Sequence, residues 1–164
     1  MLQNDINLSR FLKKGGIYYN VPGTQPREVL AWLVNAVPSD SPEIPPAVFK
    51  EALLKAVLER EELMPTAMGN GIALPHPRNP LIQREDQQFA ALAFPEQEIN
   101  WQSLDGRPVN AVILVISASA KIHLALLQRI TFFCQDEAFR TLLKHRAPAA
   151  EILDYVERTE AAWG

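Results

Sequence analysis

Asn110-Ala111-Val112-Ile113-Leu114-Val115-Ile116 runs through five branched aliphatic residues without a polar break. A strand with one wet face alternates apolar and polar residues, so an unbroken run predicts a strand covered on both faces. Working outward, Phe89–Phe94 and Gly16–Val21 also read as strands, the latter β-branched and aromatic between Gly and Pro. Ile72-Ala73-Leu74 and Ile99-Asn100-Trp101 are shorter candidates, and Asp105-Gly106 is a turn signal. Between them lie helical patterns. Thr24 offers an N-cap with Pro26 in the first turn, then Val29, Leu30, Leu33, Val34 and Val37 recur at helical spacing until Pro38. Phe49, Ala52, Leu53, Ala56 and Val57 form one face of a second helix. Ser117 or Ser119 caps a third, carrying Ile122, Leu126, Ile130 and Phe133, and two shorter helices follow near Glu137–Lys144 and Ala149–Glu157. Strands mixed with helices, around a strand buried on both sides, define an α/β class: a layered domain with a central mixed β-sheet flanked by helices on both faces.

The 164 residues suit one domain, 1–164, with connectors too short to be interdomain linkers. Prolines at Pro22–Pro26, Pro38–Pro46 and Pro75–Pro80 mark breaks between its elements. The composition, 48% hydrophobic and 21% charged, is that of an ordinary globular protein and argues against disorder. A net charge of −3 disfavours nucleic acid or an anionic membrane as the partner. No apolar run is long enough to insert in a membrane, and the start, Met1 to Ile6, lacks the layout of a secretory signal, so the expected location is cytoplasmic. The single cysteine, Cys134, follows Thr131-Phe132-Phe133 and reads as a buried structural thiol.

Three histidines exist, His76, His123 and His145. His145 sits in the polar Lys144-His145-Arg146 and reads as a surface residue. His76 lies in Gly69-Asn70-Gly71-Ile72-Ala73-Leu74-Pro75-His76-Pro77-Arg78, where flanking prolines fix the backbone and upstream glycines permit a close approach or a positive φ. Such a held imidazole suits a nucleophile or ligand, or a loop histidine without a task. Arg60 continues the row of Phe49, Leu53 and Ala56, so it projects from the core face at the helix end. There it requires an anion, either a carboxylate of an internal ion pair or a phosphate. His123 falls in the first turn of its helix, where partial positive charge favours a neutral imidazole and a nearby anion; packing or capping is the other reading. No P-loop, His-Glu-x-x-His, Gly-x-Ser-x-Gly or zinc spacing is present.

Arg60-Glu61-Glu62-Leu63, Thr66 and Gly69-Asn70-Gly71-Ile72-Ala73-Leu74-Pro75-His76 together resemble the signature of fructose/mannitol-type EIIA domains of the bacterial phosphotransferase system, closest to the nitrogen-regulatory type. As in that family, the arginine precedes the histidine by 16 residues, and a second histidine, in His123-Leu124 with Leu127, follows by 47. Leu104-Asp105-Gly106-Arg107-Pro108-Val109 adds to the resemblance, which spans Thr24 to Val156. It implies a phosphocarrier phosphorylated on His76 through Nε2, with His123 against the phosphoryl group and Arg60 neutralising its charge. Thr66, Gly69 and Gly71 would be further phosphoryl-binding positions. The implied partners are a phosphohistidine donor of the HPr or NPr kind and an EIIB or regulatory target, with no cofactor and no metal. A binding module of the same fold without phosphoryl turnover is the alternative. Two places depart from the family pattern: Pro65-Thr66-Ala67-Met68-Gly69 stands where Ser-Thr-Gly-Ile-Gly is frequent, and Pro77 stands where Gly is common.

Overall fold

A computed structural model describes residues 6–39 and 43–163. Residues 1–5, read above for a secretory layout, and residues 40–42 of the connector after Pro38 lie outside it. The elements run α1 (Leu8–Gly15), β1 (Ile17–Val21), α2 (Pro26–Ala36), α3 (Pro46–Leu63), β2 (Ala67–Gly69), β3 (Ile72–Ala73), β4 (Phe89–Pro95), β5 (Ala111–Ile116), α4 (Ala120–Gln135), α5 (Glu137–Lys144) and α6 (Ala149–Ala162). Among the described residues no helix is long and apolar enough to cross a membrane.

The strands form one five-stranded mixed sheet in the order β1-β4-β5-β3-β2. β1 is parallel to β4, β5 is antiparallel to β4 and parallel to β3, and β2 closes the edge antiparallel to β3. The apolar run at Ala111–Ile116 is buried throughout because side chains alternate between two cores. Ala111, Ile113 and Val115 face a layer built with α1, α4, α5 and α6, including Phe11, Leu126, Phe139 and Ile152. Val112, Leu114 and Ile116 face Leu30, Leu33, Leu53 and Val57 of α2 and α3. Helices therefore cover both faces, as the unbroken run required.

Several local expectations are corrected. Thr24 does not cap α2: Pro26, with its preset φ, takes the first helical position, which makes Gln25 the N-cap. Thr24 instead donates from Oγ1 to Glu28 Oε1 at 3.0 Å. On α3 the buried row is Phe49, Leu53 and Val57, while Ala52 is exposed. Ile99 forms only an isolated bridge to Val109. Ser119, rather than Ser117, caps α4 by accepting from Ile122 N. Helix α1 and strand β2 are additional to the elements expected from the sequence. Asn7 caps α1 locally, and Glu160 of α6 completes the cap by accepting from Leu8 N (2.7 Å) and Ser9 N (3.0 Å) while paired with Arg129 at 3.1 Å.

Candidate functional site

Strands β3 and β5 are parallel, so their carboxyl ends lie side by side, the usual setting for a ligand crevice in an α/β sheet. At that end Pro75 O accepts from Val115 N at 3.1 Å, and the next residue is His76. The chain leaving β5 turns at Ser119 into α4, whose first turn carries His123. The two imidazoles meet there, with ring centroids 4.8 Å apart and planes inclined at 48°. The last turn of α3 brings Arg60 close enough for its charge to act on both rings.

His76 Nδ1 lies 2.7 Å from Leu74 O. A carbonyl oxygen only accepts, so Nδ1 carries the proton and the neutral ring keeps the lone pair on Nε2. Burial lowers the proton affinity of His76, the Leu74 hydrogen bond opposes this, Arg60 adds to the lowering and Glu61 opposes it. His123 is lowered to about 4, by burial first and then by the neighbouring His76 and Arg60. Both rings are thereby biased towards the neutral form at neutral pH. A small cavity of about 110 Å³ adjoins His123, lined by Pro77, Arg78, Ser117 and Ala120 among others.

Arg60 Nη1 donates to Met64 O at 2.8 Å. Among the described residues no carboxylate pairs with it, so the internal ion pair left open by the sequence is not formed. Its remaining N–H groups leave it a fork for an anion. Thr66 is buried and spends both donors on Glu61: its N–H reaches Oε1 at 2.8 Å and its Oγ1 reaches Oε2 at 2.7 Å. Trp101 Nε1 also donates to Glu61 Oε1.

Gly69 and Gly71 are not brought to the histidines. They flank the β2–β3 turn, where Gly71 O accepts from Asn110 N and Ala111 N, at the end of β5 opposite to the Val115 contact of Pro75. Five steps along the chain lead from Gly71 to His76, roughly 16 Å at about 3.3 Å per residue when extended. Gly71 has a φ of +78°, and a Cβ there would lie 2.8 Å from Asn110 Oδ1, so turn geometry and packing account for the glycine. A recess of about 410 Å³ at this far end is lined by Arg107, Arg140, Lys144, Glu98 and Glu137 among others. His145 is exposed on the surface. Cys134 is buried, and burial pushes its thiol up to about 12, which makes it inert as a nucleophile. Among the described residues no group of three or more His, Cys, Asp or Glu is placed to hold a metal ion.

Sequence reasoning missed Glu61 and Trp101. The available signal for Glu61 was its place five residues before Thr66 across a proline bend.

Two imidazoles in contact, and an arginine that no carboxylate pairs among the described residues, thus come together near the carboxyl ends of β3 and β5 on a layered α/β domain. The family described as "Phosphoenolpyruvate-dependent sugar phosphotransferase system, EIIA 2" matches residues 10–159, and the chain belongs to that family. A nitrogen regulatory protein of Pseudomonas aeruginosa is 33% identical over 150 residues, covering 90% of this chain and 92% of the relative. The 2-O-alpha-mannosyl-D-glycerate-specific EIIABC component of Escherichia coli is 29% identical over 65% of this chain and 16% of its own length. The fold matches the crystal structure of nitrogen regulatory protein IIA-Ntr from Neisseria meningitidis with a TM-score of 0.71 at 19% identity, over 85% of this chain and 92% of that one. It also matches a complex of mannitol enzyme IIA with phosphorylated enzyme IIB from Escherichia coli, with a TM-score of 0.62 at 20% identity, over 86% of this chain and 93% of that one.

Proposed function

We propose that this chain is a phosphocarrier that accepts a phosphoryl group on Nε2 of His76 from a phosphohistidine of a donor protein. The observation that carries the reading is the Nδ1–H bond from His76 to Leu74 O, which leaves Nε2 as the unprotonated nitrogen beside a neutral His123. In the step, the Nε2 lone pair forms a bond to phosphorus as the donor's N–P bond breaks, and the donor nitrogen keeps that electron pair. Arg60 offsets the charge on the equatorial oxygens, and neutral His123 donates one hydrogen bond to them. The proton stays on Nδ1 throughout, donated to Leu74 O, so no proton is removed from the nucleophile.

The donor is a carrier of the HPr or NPr kind. The acceptor is an EIIB protein or a regulatory target in the cytoplasm. The nitrogen regulatory relative, matched over nine-tenths of this chain, favours the regulatory target. The test is incubation with phosphoenolpyruvate and each general donor relay, followed by intact mass measurement. One acid-labile, base-stable phosphoryl group is expected, and it should be absent from His76→Ala. Full incorporation in that variant would sink the assignment to His76. A folded wild-type protein that labels with neither relay would favour the binding module instead.

A further inference from the structure

Glu61 is next to the cation of the site in the chain, yet it does not pair with Arg60. Its carboxylate is engaged elsewhere, by the N–H and Oγ1 of Thr66 and by the indole N–H of Trp101. Trp101 is only 2% exposed, so one of these donors is fixed in the core that α2 and α3 share with the sheet. A carboxylate occupied by neutral donors is held off the neighbouring guanidinium, which it would otherwise neutralise.

From Glu61 a chain of hydrogen bonds leads to the nucleophile. Glu61 holds Thr66; Thr66 O accepts from Leu74 N at 3.0 Å; Leu74 O accepts from His76 Nδ1 at 2.7 Å. The same α3–β2 bend contains Met64, whose carbonyl anchors Arg60 at 2.8 Å. We propose that Glu61 is a positioning residue which, through Thr66 and Trp101, sets the bend so that His76 presents Nε2 and Arg60 keeps its charge for the incoming phosphoryl group. This rests on the phosphocarrier reading. Glu61 also acts at a distance, because its negative charge favours the proton on His76 and opposes burial and Arg60. The charged and titratable groups acting on His76 are Arg60 and Glu61 from α3 and His123 from α4, with the exposed Arg78 two residues along its own segment.

The test uses Glu61→Gln, which keeps the shape but removes the charge. Its single carbonyl oxygen cannot serve all three donors, because the second carboxylate oxygen becomes an NH₂ donor. Nitrogen-15 spectra of the imidazoles, recorded without any donor protein, report the tautomer and titration of His76. Loss of Glu61 should lower the His76 titration midpoint, reduce the Nδ1–H tautomer, and slow phosphorylation at saturating donor by about tenfold, one charge-assisted hydrogen bond's worth. A residue that only stabilises the fold would leave the midpoint of the folded protein where it is. Thr66→Val, which deletes one donor and no charge, should slow transfer, and Thr66→Ser should restore it. A folded Glu61→Gln with unchanged His76 midpoint and tautomer overturns the proposal. So does a Thr66→Val that transfers as fast as wild type, which also decides the matter if Glu61→Gln does not fold. Wild-type protein that takes no phosphoryl group from any donor would instead sink the phosphocarrier reading, while the imidazole spectra still judge Glu61.

Discussion

Lowering the pH from about 7 towards about 4 should destabilise the fold through His123, and the size of the effect follows from its surroundings. The ring's folded-state value is depressed from 6.5 to about 4, by burial and then by His76 and Arg60. A depressed imidazole contributes stability that is fully present above 6.5 and is lost as pH falls towards about 4, because the unfolded chain takes up the proton first. For a fully sequestered group that gap would correspond to about 3 kcal/mol. The ring is only half-buried, so screening by water reduces the expected contribution to about 2 kcal/mol. His76 is depressed in the same direction and adds to the acid slope. The assay is urea unfolding at several pH values, for wild type and His123→Ala. The variant loses packing by a pH-independent amount, so the difference in slope isolates the titration, and carboxylates common to both proteins cancel. His123 should also titrate upwards once His76 is phosphorylated, since the added negative charge favours its proton. A His123 ring signal titrating near 6.5 in the folded, unphosphorylated protein, or parallel acid slopes for both proteins, would refute the reasoning.

Other outcomes follow from the same contacts. Arg60→Ala should slow phosphorylation about ten- to hundredfold in a folded protein, since a hydrogen bond to a charged group is worth about 1.5–3 kcal/mol, and Lys should rescue only in part. A wild-type labelling rate in Arg60→Ala would leave the arginine with only its bond to Met64 O. Glu160→Ala removes the second cap of α1 and strands Arg129, so urea unfolding should show a loss of about 3 kcal/mol. A loss under about 1 kcal/mol would mean that water replaces the carboxylate at α1. Gly71→Ala, at a φ of +78°, should destabilise by about 1–2 kcal/mol while the folded protein is phosphorylated at the normal rate. A slowed rate in that folded variant would return Gly71 to the site.

The unbroken run at Val112–Ile116 was sufficient to predict a two-sided sheet, because burial on both faces leaves no room for polar alternation. Helix α1 was illegible for the opposite reason. Leu8-Ser9-Arg10-Phe11-Leu12 is short, and half of its N-terminal capping comes from Glu160, more than 150 residues away, which no local pattern reveals. Strand β2 escaped because three residues with a glycine at the end carry no periodicity, and their strand state comes from pairing with β3. The meeting of His76 with His123 was legible only through the family resemblance, whose spacing the two histidines and Arg60 share. Glu61 was not, because helical spacing gives the face a residue leaves from but not the loop that returns to meet it.

That distinction bears on the two departures from the family pattern. Pro65 removes a hydroxyl where Ser is frequent, but the donors that Glu61 uses belong to Thr66, which is retained, and to Trp101. Met64 O, which holds Arg60, lies one residue before the proline and needs only a carbonyl. A proline in this bend therefore subtracts nothing from the hydrogen bonds that set the site, and it narrows the unfolded states that the bend must leave. Pro77 likewise follows a ring already fixed on its other side, through Leu74 O. The supports of His76 and Arg60 are thus backbone carbonyls together with one glutamate, and backbone carbonyls survive substitution of the side chains around them. A phosphoryl site supported in this way would tolerate side-chain changes in the loop between Arg60 and His76.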